Sequence, residues 1–187
     1  MSGIIMKRIY ICIILLCICK LYALSSDDFI IQQAIDNSNI RYRSKIYLRQ
    51  IWEEAQLKDT ILKTEYHEQW SGYKDVIIFY YENIEIVTAK VIPNVSYRWI
   101  VSIIITGKKY CTMSEITTGD LMANVISIYG IPNSELLYDG LTYSNYRIND
   151  PYSDYGNKEM PIRMYNISFI HKNNVIQKIQ VSYIYNI

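Results

Sequence analysis

A chain of 187 residues, half hydrophobic and one-fifth charged, with a formal net charge of only +1, has no basic excess with which to hold phosphates, which excludes nucleic acid as a partner. Its length suffices for one domain or two small ones in contact. Ile, Tyr and Asn are abundant while Gly and Pro are scarce, so part of the tyrosine excess reflects the base composition of an AT-rich genome rather than function.

The first element is a leader. Lys7 and Arg8 precede an apolar run from Ile9 to Cys19, and Ala23-Leu24-Ser25 places small residues at the −3 and −1 positions of a cleavage site after Ser25. Residues 1–25 are therefore read as a signal peptide, and the chain as exported to the periplasm, the cell surface or the medium. The run falls short of the ~20 residues of a comfortable membrane span, so an uncleaved anchor is the lesser reading. Lipidation at Cys17 or Cys19 is a further alternative, although bulky Leu16 and Ile18 stand where lipoprotein signals carry a small residue. Removing Lys7, Arg8 and Lys20 with the leader changes the net charge from +1 to −2. Cys111 is then the one cysteine left, so no intrachain disulfide forms and stability must come from the core.

Beyond the leader, the sequence predicts a first helix over residues 27–35 headed by Ser25 or Ser26. A second follows over 44–57, with Ile46, Leu48, Ile51, Trp52 and Ala55 apolar. Strands are expected over 61–70, then a turn at Ser71-Gly72, strands over 76–81 and on to Ile92, a turn at Pro93-Asn94, and a strand over 98–106. Ile103-Ile104-Ile105 is apolar on both faces and should be central and covered on both sides.

Residues 117–132 carry the most complete local signal. Thr117 or Thr118 is a capping hydroxyl, and Asp120 places negative charge at the positive end of the helix dipole. Leu121, Val125 and Ile128, with Met122 and Tyr129 beside them, form one buried face. Gly130 supplies the left-handed stop and Pro132 forbids continuation. Residues 136–148 alternate loosely through Leu137, Leu141, Tyr143 and Tyr146, with a turn-prone Asp139-Gly140. Residues 149–161 are polar and read as a loop. Strands over 162–171 and 175–185 flank the turn Lys172-Asn173-Asn174.

The two halves rhyme, the strand over 99–106 aligning by type with that over 175–182. The expected fold class is α+β: two similar units, 26–110 and 111–187, each an antiparallel β-meander covered on one face by one or two helices. A single α+β domain whose halves look alike is the alternative.

The helix opening at Thr117-Thr118-Gly119, Val125, the stop Tyr129-Gly130-Ile131-Pro132, the aromatic strand with Tyr143 and Tyr146, Asn166-Ile-Ser-Phe169 and the final strand through Val181 resemble the SmpA/OmlA group of small bacterial envelope lipoproteins. They also resemble the β-lactamase-inhibitor-protein group, with its layered helix-and-strand units in tandem. Thr-Thr-Gly-Asp stands where the first group has Gly-Met-Thr. The match covers residues 114–185, and 27–110 by the internal rhyme alone. The resemblance implies an exported, non-enzymatic module that binds another protein through a sheet face or its loops.

Candidate chemistry is sparse. His67 and His171 lie on different strands in different halves and lack the close spacing of a local zinc site, so both are expected to face solvent. Cys111 has no base brought to it by sequence, which leaves a thiol-dependent hydrolase a remote alternative. The loop 149–161 collects oxygen ligands without the spacing of a helix-loop-helix calcium site. Glu53-Glu54 and Glu65/Glu68 are carboxylate pairs by adjacency alone. Asn94-Val-Ser96 and Asn166-Ile-Ser168 match the glycosylation pattern. We expect no catalytic residue, cofactor or metal. The candidate contact residues are Tyr138, Tyr143, Tyr146, Tyr152 and Tyr155, aromatics of the kind enriched at protein interfaces. The expected function is a protein-binding or envelope assembly-accessory module, its partner a protein in the envelope or outside the cell and its membrane contact limited to an N-terminal anchor. A secreted inhibitor or host-facing binder is the alternative.

Overall fold

The computed structural model describes residues 25–33, 45–54, 57, 59–90, 96–149 and 163–185, and what it describes is mostly antiparallel β-structure. The expected leader and most of the polar loop at 149–161 lie outside those residues. A small sheet is built from β1 (Ile31–Gln33), β2 (Lys45–Ile46) and β7 (Tyr110–Thr112), in the order β2-β1-β7. The large sheet draws on β3 (Lys63–Trp70), β4 (Tyr73–Tyr80), β5 (Ile84–Ala89), β6 (Trp99–Ile105), β8 (Ser134–Tyr138), β9 (Leu141–Asn149), β10 (Arg163–Lys172) and β11 (Val175–Tyr185). Its eight strands run β3-β4-β5-β6-β11-β10-β9-β8. The order is two four-stranded meanders joined where the last strand of each meets the other.

The register explains the core. Tyr146, Ile167, Val181, Ile103 and Ile86 stand side by side across five strands, and Phe169, Ile179, Ile105 and Ile84 form the next row. All are buried. This face is covered by the helix α1 (Met122–Tyr129) through Met122, Val125 and Tyr129, and by Phe29, Ile31, Ile46 and Tyr110 from the small sheet and the turn before it. Ile103 and Ile105 are central and fully buried here, while Ile104 points to the opposite face and is half-buried.

That opposite face is concave at one end. β4 and β11 are separated by β5 and β6, about 14 Å in a flat sheet at ~4.8 Å per strand. Yet the Tyr73 hydroxyl donates to the Tyr183 carbonyl at 2.6 Å. One tyrosine bridges that gap only if the sheet curls strongly, and the register shift at Val87/Thr88, between β5 and β6, is the local kink that permits it. A second apolar cluster of Tyr73, Val76, Ile78, Val87, Ala89 and Val101 is enclosed there. The second meander instead lines this face with polar side chains. Arg147 Nε donates to Asn166 Oδ1 at 3.2 Å, Asn166 Nδ2 to Ser168 Oγ at 2.7 Å, and Ser168 Oγ to Asn145 Oδ1 at 2.6 Å.

The α+β expectation is overturned: the described residues hold one α-helix, and neither meander is simply roofed by helices. Residues 44–57 are the clearest correction. Lys45, Tyr47 are exposed and Ile46, Leu48 buried, a period of two that overrides the helical spacing. Ile46 pairs with Ile31 on β1, Arg49 takes a φ of 65° that ends the strand, and Trp52–Glu54 make one 3-10 turn. The helix expected over 27–35 is likewise a 3-10 turn, Ser26–Phe29, followed by β1. Its capping serine is as expected in position, Ser25 N and Oγ both donating to Asp28 Oδ2. The expected boundary between residues 110 and 111 falls inside β7, where Tyr110 and Cys111 pair with Gln33 and Gln32.

α1 itself is shorter than the punctuation suggested. Neither Thr117 nor Thr118 caps it: Thr117 Oγ1 donates to the Tyr110 carbonyl at 2.8 Å, and Thr117 N to Asp120 Oδ2 at 2.8 Å. The helix starts after Leu121, which is tied to Val175 by an isolated bridge and is largely exposed. Gly130 stops it at the expected position, with φ 76° and ψ −155°, an extended positive-φ conformation rather than the left-handed helical one.

Candidate protein-binding edge

The sheet has two unlike edges. β3 is studded with charge: Lys63 pairs with Glu65, which also accepts from the Tyr80 hydroxyl at 2.6 Å, and His67 and Glu68 follow. The Lys63 ammonium, then the Tyr80 hydroxyl, hold the Glu65 carboxyl at about 2, and Glu65 in turn pushes the Tyr80 phenol up to about 12. Charged edges of this kind resist pairing with another strand.

β8 carries one charge, Glu135, and its carboxylate is drawn back onto Ser144. Every residue of Ser134–Tyr138 is exposed, and Leu136, Leu137 and Tyr138 keep 60%, 73% and 67% of their surface in solvent. Ile131, just before the strand, is 88% exposed. The hairpin that presents β8 follows from local chemistry. Asp139 and Gly140, at φ 50° and 70°, form the two-residue turn with both central residues left-handed that suits tight hairpins. Tyr138 pairs with Leu141, Leu136 with Tyr143 and Ser134 with Asn145. Because bonded pairs alternate along an antiparallel ladder and the turn-closing pair is bonded, the N–H and C=O of Glu135 and Leu137 point away from β9, along the open edge.

Side chains brace the strand from behind. Ser144 Oγ on β9 donates to Glu135 Oε1 at 2.7 Å and lies 3.1 Å from His171 Nε2 on β10. Serine, histidine and carboxylate meet here, but the serine stands between the other two and is fully buried, so the arrangement anchors β8 rather than presenting a nucleophile. Burial depresses the His171 pKa, against a smaller upward pull from Glu135.

The expected contact tyrosines separate. Tyr138 is on the open edge. Tyr143 sits beside Leu136 on the concave face and is half-buried. Tyr146 is 1% exposed and belongs to the core: its ring packs against Tyr129 and Phe169, its hydroxyl donates to the Gly130 carbonyl at 2.9 Å, and burial pushes its pKa up to about 12. Tyr152 and Tyr155 lie outside the described residues. Leu136, Ile131 and the outward backbone of Leu137 were missed as contact groups; the available signal was apolar residues at successive positions, where a strand with one buried face alternates.

Other candidates also find places. His171 is buried, not solvent-facing; His67 is on β3, 3.6 Å from Glu65 Oε2, beyond hydrogen-bond reach. Cys111 is buried in the small sheet. Asn166 of the second glycosylation pattern is buried in the polar ladder, and Asn94 lies outside the described residues. No group of three or more His, Cys, Asp or Glu side chains is poised to hold a metal ion among the described residues, and none of the described helices is long and apolar enough to cross a membrane. No protein-family model, curated protein or solved structure matches this chain.

Proposed function

We propose that this chain is an exported, non-enzymatic protein-binding module that receives an extended segment of its partner along β8. The carrying observation is the asymmetry of the large sheet, charged at one edge and open and apolar at the other. A strand added to β8 would take its affinity from main-chain hydrogen bonds to Glu135 and Leu137 and its selectivity from side-chain contacts with Leu136, Tyr138 and Tyr143. The signal-like leader and the resemblance to envelope and inhibitor proteins of the SmpA/OmlA and β-lactamase-inhibitor groups favour a partner in the envelope or outside the cell.

Leu137→Pro tests the reading. Proline at an outward-facing position removes the edge donor without removing a bond to β9. Protein expressed from the full chain, with and without the substitution, is used to capture partners from the envelope of its own cells, and hydrogen exchange maps the contact. The expected result is a captured protein whose binding falls at least about tenfold in the variant, with exchange protection at Glu135 and Leu137. Equal capture by both proteins, or protection confined to β3 or to the concave face, would overturn it.

A further inference from the structure

A cleft of about 180 Å³ opens between the 3-10 turn Ser26–Phe29, the chain leaving β2, and β10. It is lined by Asp27, Phe29, Ile30, Tyr47, Leu48 and Tyr165. Phe29 and Leu48 are buried and make an apolar floor; Tyr165 is half-buried, and Tyr47 keeps 40% of its surface exposed at the rim. The Phe29 and Tyr165 rings are 5.4 Å apart and tilted by 44°, so they meet as a corner rather than a stack.

Two acids stand together at this turn and are used differently. Asp28 is consumed locally, accepting from Ser25 N at 2.8 Å and from Ser25 Oγ at 3.2 Å. In the chain with residues 1–25 attached, the Asp27 carboxylate is exposed, lines the cleft and has no hydrogen-bond or ion-pair partner among the described residues. Among the described residues, no lysine or arginine lines the cleft. The nearest basic residue in sequence, Arg49, places its guanidinium over Trp99 and Tyr183, 5.4 Å from each ring centre. Aromatic faces carry negative charge density, and with a carboxylate beside them they favour a cation that brings an apolar shell. An anion is repelled by Asp27, and a neutral apolar group makes no use of it. The volume suits one side-chain-sized group rather than a drug-sized ligand.

We propose that this cleft is a recognition pocket for an organic cation, an alkylated ammonium or a guanidinium. The group arrives either on a free small molecule or as the end of a lysine or arginine side chain of another protein. The pocket is separate from β8, and its success or failure leaves the strand-addition reading where it stands.

The test is a titration of the protein expressed from the full chain, at constant ionic strength, followed through the ring resonances of Phe29, Tyr47 and Tyr165. The probes are choline, its neutral isostere 3,3-dimethylbutan-1-ol, and the blocked amides of arginine and lysine. The expected result is saturable shifts of those three rings with at least one cation, about tenfold weaker binding of the neutral isostere, and a loss of about tenfold in Asp27→Asn. Asp27 is exposed and bonds no other side chain among the described residues, so the substitution leaves the turn intact; Tyr47→Ala, at the rim, is the second variant and should weaken the cations more than the isostere. Choline binding more tightly than either amide assigns the pocket to small quaternary ammonium compounds, and the reverse order assigns it to a partner's side chain. Equal binding of choline and the isostere, unchanged affinity in Asp27→Asn, or absence of saturable shifts at these rings would overturn the proposal.

Discussion

The imidazole of His171 lies under the β8–β9 hairpin, with Ser144 Oγ 3.1 Å from Nε2 and Glu135 beyond the serine. Burial is the larger influence and lowers its pKa below the ordinary histidine value. The folded state therefore binds fewer protons than the unfolded state between the two pKa values, and stability rises with pH across that window. The contribution is fully present above about pH 6.5, the unfolded histidine value, and is lost as pH falls through the lower folded value. We expect the melting temperature to drop between pH 7 and pH 5, and His171→Gln to remove much of that slope while keeping a polar group opposite Ser144. Thermal melts of both proteins at several pH values decide it; parallel slopes would show that His171 titrates alike in both states. Charge at other residues is held locally. Arg98, itself buried, reaches both the carboxylate and the carbonyl of Asp75, and so fixes a non-glycine residue at φ 50° near the start of β4. Its side chain is also anchored on Thr88 Oγ1 at 3.1 Å, which ties this unusual backbone to β5.

At the scale of elements, turns were legible and partners were not. Asp139-Gly140, Ser71-Gly72 and Asn173-Asn174 all have both residues at positive φ, which Gly, Asn and Asp tolerate best, so sequence alone located the turns at Ser71-Gly72 and Asn173-Asn174 and marked Asp139-Gly140 as turn-prone without separating β8 from β9. The end of α1 was legible for the same reason. Its start was not, because Thr117 and Asp120 are satisfied by Tyr110 and by each other, a tertiary arrangement that no local pattern encodes. Residues 44–57 failed because Ile46, Leu48, Ile51 and Trp52 fit a helical face and an alternating strand almost equally; pairing with Ile31 decided between them. The candidate site shows the same division. Tyr138 is exposed on β8, whereas Tyr146 is buried because α1 crosses it, and the openness of β8 depends on its rank in the sheet. Gly130 gives an element-scale prediction. At φ 76° and ψ −155° it occupies a region open essentially to glycine, and a Cβ placed there meets nothing within 4 Å. Gly130→Ala should therefore cost about 1–3 kcal/mol, from backbone strain alone. Gly140→Asn, at φ 70° with equal open space, should be close to neutral, since asparagine tolerates the left-handed turn. Urea denaturation of the two variants separates strain from crowding: similar losses in both would refute the backbone argument.

For the whole molecule, the seam between β6 and β11 determines whether the two meanders act as one body. Ser102 to Ile105 pair with Ser182 to Ile179, and at its centre Ile103 faces Ile86 on one side and Val181 on the other. The same core cluster takes in Phe29 and Ile31 from the start of the described chain and Tyr183 from its end. A unit lifted away from its neighbour would expose this row to water, so the physical expectation is one cooperative transition rather than two. Ile103→Ala should lower stability by about 2–5 kcal/mol, the range for truncating a fully buried isoleucine. The three tryptophans bias the test, because Trp52, Trp70 and Trp99 all precede β7 and weight the fluorescence toward the first meander, with Trp99 alone sharing Arg49 with Tyr183 on β11. Their fluorescence is to be compared with hydrogen exchange at Ile167 and Val181 in the second. In the wild type and in Ile103→Ala the two probes should give the same midpoint, and in the variant both should move together. A variant in which the tryptophan transition shifts while the β10 and β11 amides keep their protection would mean that each meander holds its own stability. β8 lies at the far end of the sheet from β3, the fourth strand beyond the seam, and its opening for a partner strand would then be a property of the second meander alone.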